Sequence, residues 1–158
     1  METIQLIFSR SKLPFSPLVQ LVTWSHWSHV GIVMDNNQVI ESTFTHGGVK
    51  PVDIDTFKSR ASDWIVVALP CTSRQAIIDA AMSQVGKKYD WTGLFGILMR
   101  ERHWQEDDAW FCSELIAWAF MLGGSPLFMP DVVHRITPQH LFMLFHEVVT
   151  WKNAPALK

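Results

Sequence analysis

Two β-rich runs, Val30-Gly31-Ile32-Val33-Met34 and Gln38-Val39-Ile40-Glu41-Ser42-Thr43, stand on either side of Asp35-Asn36-Asn37. β-Branched residues fit a pleated, half-buried surface, and Asp and Asn tolerate the backbone of a tight turn, so the stretch reads as a β-hairpin. With the turn centred on Asn36, paired residue numbers sum to about 72, which sets Glu41 near Gly31 and diagonal to His29. Ile4 to Phe8 and Trp64 to Leu69 are further strand candidates, the second ended by Pro70.

Helices follow. Thr72 and Gln75 have capping-box spacing and Gly86 supplies a stop, with Ile77, Ala80, Ala81 and Val85 as the buried stripe. A second helix is expected to start near Cys112 and end at Gly123-Gly124, with Leu115, Ala119 and Leu122 on one face and Ile116 and Phe120 beside it. Thr137-Pro138 reads as an N-cap and first helical residue, with Leu141, Leu144 and Phe145 turned inward. Strands first and helices after point to an α+β fold, an antiparallel sheet packed against helices. No repeat or linker divides the 158 residues, so one domain over 1–158 is expected.

A net charge of −2 without a basic run argues against a nucleic-acid partner. Two cysteines, Cys71 and Cys112, do not make a disulfide framework, so free thiols are expected. No run approaches the length of a transmembrane span, and the N-terminus lacks the basic start and apolar stretch of a secretory signal. A soluble protein, cytoplasmic or delivered without a signal peptide, is the expectation.

Cys112 falls at a predicted helix start, where backbone N–H groups carry partial positive charge and favour the nucleophilic thiolate. Its other reading is a small buried hydrophobe. His29 opens an apolar strand, a rigid mounting suited to a general base. Glu41, on the hairpin partner, can accept from one ring nitrogen, fix the tautomer and stabilise the imidazolium. The N–H of Ser113, beside the thiol, is a candidate oxyanion donor that needs no particular side chain, and Glu114 can brace the same helix. His26 and His29, in His26-Trp27-Ser28-His29, raise the thought of zinc, but residues three apart on a strand point to opposite faces. No metal or other cofactor is expected. Cys71 is assigned a structural role, and Trp24, Trp27, Trp91 and Trp110 read either as channel walls or as core padding.

The order Ser28-His29-Val30-Gly31-Ile32-Val33, Glu41, Gly86-Lys87-Lys88-Tyr89-Asp90-Trp91, Phe111-Cys112-Ser113-Glu114-Leu115 resembles the circularly permuted papain-like amidases of the YiiX/YaeF type. These are relatives of the NlpC-type cell-wall peptidases and of lecithin retinol acyltransferase. Their histidine strand precedes the cysteine helix, the reverse of papain's order. The resemblance runs from about His29 through the helix after Cys112, while the N-terminal segment and the stretch from Ile97 to Trp110 match nothing in it. It implies a triad of Cys112, His29 and Glu41, with Tyr89, the sole tyrosine, helping to hold the substrate carbonyl or its oxyanion. The expected activity is cysteine-dependent hydrolysis or acyl transfer on a peptide amide, a peptidoglycan stem or a lipid acyl bond. The alternative is an inactive ligand-binding or structural module of the same fold.

Overall fold

The computed structural model describes residues 1–12, 26–43, 47–89, 109–110, 112–145 and 147–153. Its centre is a six-stranded sheet in which every neighbouring pair is antiparallel. The strands are β1 (Glu2–Ser11), β2 (His29–Val33), β3 (Gln38–Thr43), β4 (Gly48–Asp53), β5 (Ala61–Cys71) and β8 (Glu147–Trp151), in the order β4-β3-β2-β1-β5-β8. The fold is α+β, as expected.

The expected hairpin is β2–β3, with Ile32 opposite Ile40 and Val33 opposite Val39. Asn37 closes its turn at φ 61°, a left-handed conformation that Asn tolerates better than most residues. β5 does not stop at Pro70 but runs through it to Cys71, Pro70 lying opposite Thr3. The pairing of β8 reaches only Ala68 on the other side, so the missing N–H of Pro70 interrupts no ladder there.

Alternation along the strands sorts side chains into two clusters. Ile4, Leu6 and Phe8 of β1, Val30 and Ile32 of β2, and Ile65, Val67 and Leu69 of β5 face the main helical layer. That layer holds α2 (Arg74–Met82), α3 (Cys112–Leu122), a 3-10 turn (Pro130–Arg135) and α4 (Pro138–Phe142). Ile7, Val33, Val39, Val52 and Val66 face the opposite side and are covered by Ile54 and Phe57 of a short helix, α1 (Ile54–Ser59). Asp53 caps α1, accepting from the N–H groups of Asp55 and Thr56.

The cap of α2 is Ser73, whose hydroxyl accepts from the N–H of Ala76 at 3.3 Å, not Thr72. Thr72 instead joins the loop after α3, its N–H donating to Ser125 Oγ at 2.7 Å. The helix also ends at Met82, four residues before Gly86, which leaves Val85 exposed in the turn. α3 spans the expected residues, but Leu122 sits on its last turn facing solvent. Thr137 caps α4 with Pro138 in the first turn, and His140 completes a capping box. Leu141 is fully buried there, while Leu144 lies beyond the helix end and is exposed.

Two short strands, β6 (Lys88–Tyr89) and β7 (Ala109–Trp110), pair in parallel with Tyr89 opposite Trp110. β6 is tied to β4 through Val49 N–H donating to Lys87 O at 2.8 Å and Gly86 N–H donating to Val49 O at 2.9 Å. Gly48 makes this approach possible, since it has φ 137° and a Cβ there would lie 1.9 Å from Lys87 O. Among the described residues no helix is long and apolar enough to cross a membrane.

Candidate active site

His29 is the first residue of β2, so its ring stands at the margin of the sheet, within reach of groups from another layer. Its Nε2 and Glu41 Oε2 are 2.7 Å apart. The register explains the meeting: with Ile32 opposite Ile40, Glu41 falls two positions from the residue facing His29, on the same sheet face. Phe57 stacks on the imidazole, ring centroids 5.4 Å apart and planes 23° apart, and prevents it from swinging. The side chain of Glu41 has no solvent exposure and that of His29 is 16 % exposed.

Cys112 opens α3 and is buried. Buried residues run without a break from Cys112 to Ala117. Burial by itself would lower the pKa of His29, but a hydrogen bond with Cys112, a second with Glu41 and the charges of both raise it to about 9. The structure thus brings together three of the residues expected from sequence. A carboxylate only accepts, so Nε2 carries the hydrogen and Nδ1 is left as the ring nitrogen available to the sulfur.

The carboxyl of Glu41 is pushed upward by burial, yet its pKa lies below the ordinary value because His29 and Arg60 both hydrogen-bond it and sit beside it as cations. Arg60 was not singled out by sequence. It ends α1, and its Nη2 donates to Glu41 Oε1 at 2.6 Å, nineteen residues away along the chain. A lone arginine between Ser59 and Ala61 gives no periodic or motif signal. Only the fold reveals its partner.

Ser113 is fully buried and its hydroxyl donates to the carbonyl of Ile136; its backbone N–H lies in the first turn of α3, where an α-helix supplies no intrahelical acceptor. Tyr89 is brought by backbone pairing beside Trp110, two residues before Cys112. His26 does not join the site: its Nε2 is 4.0 Å from Asp63 Oδ2, and its ring meets Trp27 edge-on at 4.8 Å. Trp27 is core padding, buried against Phe8 and Phe142. Trp24 and Trp91 lie outside the described residues, as does the stretch from 97 to 108. Cys71 is a free, buried thiol whose pKa is raised by burial and by the neighbouring Glu2.

Residues 3–127 match the family described as permuted papain-like amidase enzymes, YaeF/YiiX, C92 family. The chain belongs to this family. The match reaches back to Thr3, so β1 is part of the permuted papain-like domain, although from sequence the resemblance began only near His29. Membership makes the chain, at the level of class, a papain-like hydrolase. The crystal structure of metalloprotein YiiX from Escherichia coli O157:H7 is similar, with a TM-score of 0.60 and 21 % identity over 97 % of this chain and 90 % of that one. At that identity the likeness establishes the fold. No curated protein matches the chain.

YiiX is described as a metalloprotein, which raises the question of whether this chain could hold a metal. Among the described residues no three His, Cys, Asp or Glu side chains group as ligands. Both oxygens of Glu41 are also taken, one by His29 and one by Arg60. These residues do not fit a metal site.

Proposed function

We propose that this chain is a cysteine-dependent amidase or peptidase acting through an acyl-enzyme, with Cys112 as nucleophile, His29 as general base and acid, and Glu41 as the group that orients the imidazole. One observation carries the reading: a single imidazole, that of His29, meets a buried carboxylate on one side and the thiol at the start of α3 on the other. A cysteine with no chemical task needs no such neighbours.

His29 Nδ1 takes the thiol proton, and Cys112 Sγ attacks the carbonyl of an amide or ester. The N–H of Ser113, aided by the hydroxyl of Tyr89, stabilises the oxyanion. The imidazolium then gives its proton to the departing amine or alkoxide, leaving a thioester. A water molecule loses a proton to Nδ1, attacks the thioester and releases the acid, which restores the thiol. Glu41 compensates the imidazolium each time it forms. Peptide amides, including peptidoglycan stems, and lipid acyl groups are the substrate classes this chemistry serves.

The test is selective alkylation followed by substrate screening. Iodoacetamide at neutral pH is expected to label Cys112 at least ten times faster than Cys71, because an imidazole stands beside the first while burial and Glu2 raise the pKa of the second. Wild type and Cys112→Ala are then compared on peptidoglycan fragments, peptide amides, acyl-thioesters and lipid amides. Equal, slow labelling of both thiols, or turnover that survives in the alanine variant, sinks the proposal and leaves a binding module of the same fold.

A further inference from the structure

Glu41 is held from two sides. Oε2 accepts from His29 Nε2 at 2.7 Å and Oε1 accepts from Arg60 Nη2 at 2.6 Å, with no part of the carboxylate side chain exposed. Arg60 is itself fixed: its Nε donates to the carbonyl of Thr56 at 3.3 Å, and its guanidinium carbon lies 5.5 Å from the centre of the Phe57 ring. That same ring stacks on His29. The arginine, the aromatic ring and the imidazole therefore form one packed unit around the carboxylate.

We infer that Arg60 is a positioning residue, the permanent counter-charge that keeps Glu41 ionised and its Oε2 aimed at His29 while His29 is neutral. This rests on the acyl-enzyme reading above. With the sulfur free, Arg60, Glu41, His29 and Cys112 can alternate in sign along one line, and the imidazolium compensates the carboxylate. Acylation removes the charge from the sulfur, and His29 must then be without its extra proton to accept one from water. At that stage Arg60 is what balances a carboxylate cut off from solvent.

Without Arg60 the pair would capture a proton, and both places it can go are unproductive. On His29 it occupies Nδ1. On Glu41 it turns the carboxyl into a donor toward Nε2, which reverses the tautomer and again places the hydrogen on Nδ1. Other titratable groups around the pair are Cys112 at the start of α3 and Lys50 on β4, the cross-strand partner of Glu41. Among the described residues only Arg60 and His29 form an ion pair with Glu41.

The experiment follows the ring of His29 by carbon and nitrogen NMR in the full chain, in a Cys112→Ala background that reproduces the uncharged sulfur. Arg60→Met is expected to move the His29 midpoint upward by about one pH unit or more, and Arg60→Lys to keep it near the parent value. Arg60→Gln, still able to donate to Glu41 but uncharged, is expected to behave like Arg60→Met and decides the matter if the methionine variant does not fold. An unchanged or lowered midpoint in a folded neutral variant overturns the inference. These midpoints do not depend on turnover, so absence of selective Cys112 alkylation would sink the proposed function and leave this result standing.

Discussion

A Cβ added to Gly31 would lie 2.3 Å from Val39 Cγ1, so the Val39 side chain of β3 packs over β2 where only hydrogen fits. The carbonyl of Ile40 would be 3.0 Å away and the ring of Phe57 3.5 Å. The glycine thus sits under the ring that steadies His29 and next to the strand that carries Glu41. Gly31→Ala must displace one or the other. It is expected to destabilise the fold by about 1–3 kcal/mol and to lower the alkylation rate of Cys112 at least tenfold. Thermal unfolding and alkylation kinetics check this, and a variant with unchanged values for both would show that the strands can part at no cost.

Glu41→Gln keeps the shape of the side chain and its ability to accept from Nε2, but removes the charge shared by His29 and Arg60. The imidazolium loses support, so the His29 midpoint is expected to fall below about 9. Arg60 keeps some solvent contact, which limits the stability loss to roughly 3 kcal/mol. Any amidase activity should drop by about two orders of magnitude or more. The combination of a fallen midpoint with a folded protein separates lost electrostatics from lost structure.

The raised pKa of His29 also fixes how stability depends on pH. A group bound more tightly to its proton in the folded state contributes stability that is fully present below the unfolded value of 6.5 and disappears as pH rises through about 9. Denaturant midpoints of wild type and His29→Gln should therefore differ most near pH 6 and converge near pH 10. The gap between 6.5 and about 9 sets an upper bound on the order of 3 kcal/mol for this contribution. A difference that grew with pH would mean that the imidazole is neutral at rest.

Chelation supplies a fourth test. With both Glu41 oxygens engaged and no ligand group among the described residues, dialysis against EDTA is expected to leave the melting temperature and Cys112 alkylation unchanged. Elemental analysis finding one metal ion per chain, released by Glu41→Gln, would contradict that expectation.

The hairpin was readable because turn residues interrupt two runs of β-branched residues, and its register placed Glu41 correctly relative to His29. α3 was readable from Gly123-Gly124 at its end and its apolar face. β4 escaped because Pro51 breaks its pattern, and that strand tolerates proline on the outer edge of the sheet. α1 escaped because six residues carry too little periodicity. Its loss hid Phe57 and Arg60, which do their work only through partners distant in sequence. The capping box at Thr72 failed by one residue because Ser73, an equally good cap, was adjacent, and Val85 is exposed because the helix ends at Met82, ahead of Gly86.

His29, Glu41, Phe57 and Arg60 all lie within 32 consecutive positions, in the run from β2 to the end of α1, while the sulfur arrives more than fifty residues later. During synthesis from the N-terminus, the basic half of the site can therefore take shape before the thiol has left the ribosome. A chain interrupted between Arg60 and α3 would carry all the residues of the charge arrangement yet lack Cys112. On the proposed mechanism, the thiol meets its base only when that last large helix docks, so the hazard of an activated cysteine is tied to the closing steps of folding.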